Sequence, residues 1–452
     1  MNFSSINFLF LFLPLIFPVY FLVPQKFRNY ILIIFSFIFY FSGEKAFTLL
    51  LLFSCFLNYF IGKKINQMEG GLKKRILISG VVLNILLLLI FKYLNFFIGE
   101  INNIGILPLI QCSKLHLPVG ISFFTFQALS YLVDIYRKDI EPAKFSNFTL
   151  YLSMFPQLVA GPIVRYRQIK DEISNRTIKS EKFTEGIKRF ISGLSKKVII
   201  ADTLSYSVDK IFALNVSELS ASVCILGAVC YSFQIFFDFS GYSDMAIGLG
   251  KMFGFTFPEN FNYPYISKSI KEFWRRWHIT LSEFFRDYVY IPLGGNKHHV
   301  YLNIMIVFAL TGFWHGAAWN FIIWGLYNGA LIAFERFVKF DRMPKILCHI
   351  YFIAAVITGW VIFRCENLSY GLSFLKTMYS FNFVKLSELT YYLDIELLFT
   401  LIIAAVLSVP FINCIKKYIP LFIQNLAYAI LLIISASYIA VNTYQPFIYF
   451  RF

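Results

Sequence analysis

Apolar residues run along this chain in long blocks separated by short polar stretches. The blocks occupy Asn7–Val23 and then residues 29–42, 46–62, 76–98, 118–136, 147–164, 187–203, 221–250, 300–319, 320–338, 347–363, 396–414 and 421–445. A helix that crosses a bilayer needs about 20 apolar residues. The longer blocks therefore predict spanning helices, about eleven in all, and the shorter ones re-entrant or interfacial pieces. No linker, repeat or low-complexity tract interrupts the series. The pattern predicts an all-α, polytopic integral membrane protein with a single membrane-embedded domain over residues 1–452.

Residues 251–299 break the pattern. Charges of both signs crowd between two strongly apolar flanks, from Lys251 and Glu259 through Lys271, Glu272, Arg275 and Arg276 to Glu283, Arg286, Asp287 and Lys297. Within this stretch Phe273, Trp277, Thr280, Phe284 and Tyr288 recur at helical spacing, which predicts an amphipathic helix. Such a helix either lies flat on the leaflet or dips into the protein to line a wet cavity, where polar backbone is tolerated at membrane depth. The density of opposite charges favours the cavity, with Arg276, Arg286, Glu283 and Asp287 able to pair with one another.

Composition agrees with the pattern: 58% of residues are hydrophobic and 15% charged, against about 25% charged in soluble proteins. The 55 Phe and 28 Tyr suit lipid and its interfaces. A net charge of +16 in such a chain belongs to loops facing anionic lipid, not to nucleic acid. Lys26 and Arg28 follow the first block, Lys63 to Arg75 the third, and Arg137 and Lys138 the fifth. Placing these exits in the cytoplasm puts the N-terminus outside. The first block lacks a basic leader and a small-residue cleavage site, so it is read as a retained span. The cysteines, Cys55, Cys112, Cys224, Cys230, Cys348, Cys365 and Cys414, are scattered and form no metal or disulfide pattern.

Ionisable groups inside apolar runs are the chemical candidates, because such a group needs a partner or a cavity there. Asp238 and Asp244 flank Gly241 in FDFSGYSD, where they either cap a helix break or act directly. His315 lies in TGFWHGAAWN between aromatic and small residues, with Gly312 and Gly316 leaving room for a substrate or another helix. An imidazole there can take a proton from a hydroxyl. His278, on the amphipathic segment, is the second candidate, whereas His116, His298, His299 and His349 read as interfacial.

Two long blocks, Phe237 to Gly295 and Thr311 to Gly329, resemble the membrane-bound O-acyltransferase family, above all its bacterial alginate O-acetyltransferase-like branch. Pro118 to Arg137, Phe155 to Tyr166 and the closing PFIYFRF are similar as well, so the core motifs cover 118–329. The resemblance implies a ring of helices around a tunnel, a catalytic His315, and His278 as a second active-site residue. Supporting or tunnel-lining candidates are Asp238, Asp244, Arg276, Trp277, Glu283, Arg286, Asp287, Trp314 and Asn320. It further implies a cytoplasmic thioester donor such as acetyl-CoA, with no bound cofactor or metal. The implied setting is a bacterial inner membrane, with an extracytoplasmic acetyltransferase partner and a polysaccharide acceptor, either an alginate-like exopolysaccharide or peptidoglycan. Whether His315 is base or nucleophile stays open. Two alternatives remain: D-alanyl transfer to teichoic acid and a polytopic transporter. A transporter often carries two related halves, and the charged segment here occurs once.

Overall fold

The computed structural model describes residues 2–105, 115–338, 340, 343–380, 382–383 and 389–441. Cys112 and the closing PFIYFRF lie outside them. The described residues are helical, with no strand among them. Among the described residues, six stretches are long and apolar enough to cross a membrane: Gln25–Gln67, Gly70–Ile104, Ala221–Met252, Trp319–Val338, Lys345–Arg364 and Leu421–Val441. Phe8–Leu22, Val300–His315 and Ile395–Leu407 are shorter apolar helices. Only 11% of the apolar window in Leu421–Val441 is buried, and Phe422 is 76% exposed. Such a surface is at home in lipid rather than water. The chain is a multi-pass membrane protein.

The backbone groups into two compact units, one of Met1–Phe190 with Met245–Pro258, the other of Ile191–Asp244 with Glu259–Phe452. In the first, the helices Thr48–Gln67 and Gly70–Leu88 are clasped by buried amides. Asn58 Nδ2 donates to Asn84 Oδ1 at 3.1 Å, and Asn84 Nδ2 donates back to Asn58 Oδ1 at 2.7 Å. Reciprocal side-chain bonds of this kind hold helices together where no hydrophobic force drives them.

The second unit carries the candidate chemistry. The helix Ala221–Met252, whose part up to Asp244 belongs to this unit, runs without interruption through Gly241, so Asp238 and Asp244 do not cap a break there. Gly241 serves close packing instead: a Cβ on it would stand 2.7 Å from the carbonyl oxygen of Gly193. Both carboxylates face a π-helical turn at Lys196–Ala201. Lys197 Nζ lies 2.8 Å from Asp238 and 2.6 Å from Asp202, and Lys196 Nζ lies 2.7 Å from Asp244.

The helices Val300–His315 and Trp319–Val338 pack through glycines. A Cβ on Gly312 would collide with the carbonyl of Phe321, and one on Gly325 with the carbonyl of Phe308. Gly312 thus makes room for a helix, one of the two uses its setting in the sequence suggested, and a Cβ on Gly316 would meet the Phe321 ring of that same helix. Because backbone cannot give way, Gly325→Ala is expected to cost about 1–3 kcal/mol. The detergent-purified variant should melt lower and yield less monodisperse protein; an unchanged melting curve would contradict the close approach.

The amphipathic helix expected over Phe273 to Tyr288 is broken. Ile270–Trp274 and Ile279–Phe285 are separate helices, followed by a π-turn at Arg286–Tyr290. His278 at the break is left-handed, with φ +43°. The apolar positions are nonetheless those expected: Phe273, Trp277, Thr280 and Phe284 are buried. The break has a backbone cause. Asn262 N–H donates to the Arg276 carbonyl and Ile279 N–H to the Asn260 carbonyl, each at 2.9 Å, so an extended strap takes the bonds a continuous helix would have used.

Candidate active site

His315 is the last residue of Val300–His315. The backbone after it turns extended at Gly316, and the chain doubles back into Trp319–Val338. The hairpin brings Trp324 edge-on to the imidazole, with ring centroids 5.1 Å apart. From Lys345–Arg364, Phe363 meets the same ring at 5.3 Å. Asn320 fixes this corner, its Nδ2 donating to the carbonyl of Cys365 at 2.9 Å.

Around His315 lies a cavity walled by Ile235, Phe239, Trp277, Trp324, Trp360 and Phe363. It measures about 10 Å³ to the centre of a water-sized sphere, roughly the room one water needs. Among the described residues that line it, His315 is the one titratable group. The site is narrow and walled almost wholly by aromatic rings.

His278 stands beside this cavity. Its ring is 4.7 Å from Phe239, a wall residue, and 5.9 Å from Trp314, whose own ring is 4.9 Å from His315. The two histidines thus share Trp314 as a neighbour. The short helix Ile270–Trp274 that precedes His278 is anchored on Trp319–Val338. Glu335 accepts the N–H groups of Ile270 at 2.5 Å and Lys271 at 3.1 Å, and Trp274 Nε1 donates to Asn328 at 3.2 Å.

His278 is fully buried, and burial pushes its pKa down to about 3 from an ordinary 6.5. The folded value lies below the unfolded one, so on acidification the unfolded chain takes up the proton first. The stability held by neutral His278 is complete above about pH 6.5 and is lost as pH falls from there towards 3. The melting temperature of the purified protein should fall from pH 7 to pH 4, and His278→Asn should flatten that slope. A wild-type curve no steeper than the variant's would refute a neutral buried imidazole.

The other sequence candidates separate. Trp277 lines the cavity, and Trp314 touches both histidines. Asp238 and Asp244 belong to the lysine pairs already described. Of the four charges expected to pair together, Arg286 does meet Asp287, at 2.6 Å. Arg276 pairs instead with Glu272 one helical turn earlier, at 2.9 Å. Glu283 contributes charge beside Arg286, whose side chain is 56% exposed. These charges are not among the cavity's lining residues. His298 stands in the turn before Val300, His116 meets Glu44 at 3.0 Å, and His349 Nδ1 meets the Ser267 carbonyl at 2.8 Å.

Sequence reasoning overlooked Phe239, Trp324, Trp360, Phe363 and Asn260. Trp324 follows His315 by nine residues on the returning helix, a spacing that becomes a contact only once the hairpin is known. Asn260 sat in the FPENFNYPYIS motif with no visible role.

Residues 34–375 match the pattern of the MBOAT, or membrane-bound O-acyltransferase, family. The probable alginate O-acetylase AlgI of Azotobacter vinelandii is 43% identical over 404 residues, covering 86% of this chain and 80% of its own. The peptidoglycan O-acetyltransferase of Helicobacter pylori is 37% identical over 432 residues, 86% of this chain and 81% of its own. The teichoic acid D-alanyltransferase of Bacillus subtilis is 34% identical over 249 residues, 50% of this chain and 61% of its own.

Proposed function

The chain belongs to the membrane-bound O-acyltransferase family, and from that premise we propose that it moves acetyl from a cytoplasmic thioester across the membrane for O-acetylation of an extracytoplasmic polysaccharide. The observation that carries the reading is His315 at the wall of an otherwise apolar, aromatic cavity. Acyl transfer from sulfur to oxygen needs a group to take the hydroxyl proton and a site that keeps water out. His315 takes the proton as the oxygen attacks the thioester carbonyl. The thiolate leaves when the tetrahedral intermediate collapses and is reprotonated from His315. His278 is the candidate to orient the acceptor hydroxyl, and backbone N–H groups are the candidates to steady the oxyanion.

Acetyl is favoured over D-alanine by extent: the O-acetylating relatives align with 86% of the chain and the D-alanylating one with 50%. An alginate-like exopolysaccharide or peptidoglycan is the acceptor in this reading, with acetyl-CoA or another thioester as donor. An extracytoplasmic transferase completes delivery in a bacterial inner membrane, and the N-terminus faces outward. The test is mild alkaline release of esters from envelopes of cells with and without the protein. Release of acetate that depends on the protein supports the reading. Protein-dependent release of D-alanine in its place would overturn it in favour of teichoic acid modification.

A further inference from the structure

One side chain organises the break that carries His278. Asn260 Oδ1 accepts from Thr280 Oγ1 at 2.9 Å and from the Thr280 backbone N–H at 3.3 Å, and it lies 3.0 Å from His278 Nδ1. The same residue's carbonyl holds Ile279 N–H. Asn260 is 1% exposed and His278 is fully buried, so no bulk water competes for these bonds.

The geometry decides where the imidazole proton sits. A backbone N–H can only donate, so the end of the Asn260 amide that faces Thr280 is its oxygen. That oxygen cannot donate to His278, so Nδ1 must carry the hydrogen and give it to Asn260. In the neutral ring the other nitrogen is then an acceptor. Nε2 is buried and has no hydrogen-bond partner among the described residues.

We propose that Asn260 is a positioning residue that locks His278 as its Nδ1–H tautomer, leaving Nε2 as a bare lone pair for an incoming hydroxyl. The use of that lone pair rests on the acyl-transfer reading above, since a polysaccharide acceptor arrives with O–H donors; the tautomer itself does not. A partner that fixes a histidine's tautomer also fixes its ring orientation. Phe239 meets the imidazole edge to face, with 89° between the ring planes. With Asn260 behind the ring and Phe239 across it, the lone pair has one fixed direction. Sequence reading could not assign this role, because Asn260 precedes His278 by 18 residues with a helix between them.

The tautomer can be read directly. Protein labelled with ¹⁵N-histidine, in bilayers, gives distinct nitrogen shifts for protonated and bare ring nitrogens. The His278 signals are identified by their loss in His278→Asn, a residue that tolerates the left-handed backbone. Wild type should show a protonated Nδ1 and a bare Nε2. Asn260→Asp keeps the acceptor and should keep that pattern, whereas Asn260→Leu should shift the proton toward Nε2 or give a mixture. A wild-type ring protonated at Nε2, or an Asn260→Leu spectrum identical to wild type, would overturn the proposal. Because the wild-type spectrum is informative alone, a variant that fails to fold does not shelter the idea. In acetyl-transfer assays Asn260→Leu should lower kcat about 10-fold or more with KM little changed, and Asn260→Asp should recover much of it. A shifted tautomer with unchanged kcat would keep the lock and remove His278 from the chemistry. Loss of acetyl transfer in wild type would instead strike the functional reading alone.

Discussion

Replacing His315 by alanine is expected to abolish alkali-released acetate from the cell envelope while leaving the protein in the membrane at its normal level. The imidazole is the titratable group at a cavity whose other walls are Ile, Phe and Trp. Nothing else in that lining takes a proton from a hydroxyl. General-base catalysis contributes about 10²- to 10⁴-fold, so a residual rate of 1% or less follows. The ring also packs against Trp324 and Phe363, so abundance must be measured alongside ester content. His315→Gln, which fills much of the same space, serves as the control for packing. Equal abundance with acetate lost in both variants places His315 in the chemistry. Retained acetate in either would remove it, and the cavity would then be a packing defect beside a site located elsewhere.

The second large effect concerns stability. Lys197 is 2% exposed and stands between Asp202 and Asp238, both within 2.8 Å. Replacing it by Met would leave two buried carboxylates facing one another without their cation. Breaking a buried pair from one side costs about 3–5 kcal/mol, a large share of the stability of a typical domain. Lys197→Met should therefore fail to accumulate, or melt far below wild type after purification. The double replacement Lys197→Met with Asp238→Asn should recover part of the loss, since it removes one stranded charge. Lys196→Met should be milder, because Lys196, 27% exposed, is far less buried than Lys197. Equal damage from the two single variants would contradict this account.

Much of this was legible in the chain itself, for reasons that are physical. Hydrocarbon demands long apolar helices, so membrane character and the all-α class follow from hydropathy alone. An imidazole among Trp and Gly in such a run is conspicuous, which is how His315 was found; His278 was singled out on the amphipathic segment and by the family resemblance. What stayed hidden depends on contacts between distant segments. The carboxylates near Gly241 looked like caps or catalysts, since their lysines lie more than forty residues away. The helix expected through Phe273 to Tyr288 ignored Asn260 and Asn262, whose backbone groups compete for its hydrogen bonds. Periodicity registers which face is apolar, and that survived; it does not register a strap that interrupts the ladder.

The π-turn at Lys196–Ala201 has a further consequence, for how this stretch can evolve. Two neighbouring lysines there reach carboxylates six positions apart on the facing helix, Asp238 and Asp244. A regular α-helix advances about 100° per residue, and a π-turn accommodates one extra residue within that winding. Deleting a single residue between 198 and 201 would return the turn to a regular α-helix with its flanks still in register, leaving Lys197 and Asp202 four apart and still on one face. Point substitutions in this segment are survivable if charge is balanced, and so is a one-residue deletion clear of the lysines. Homologous chains should differ in length by one residue here more readily than elsewhere on these two helices.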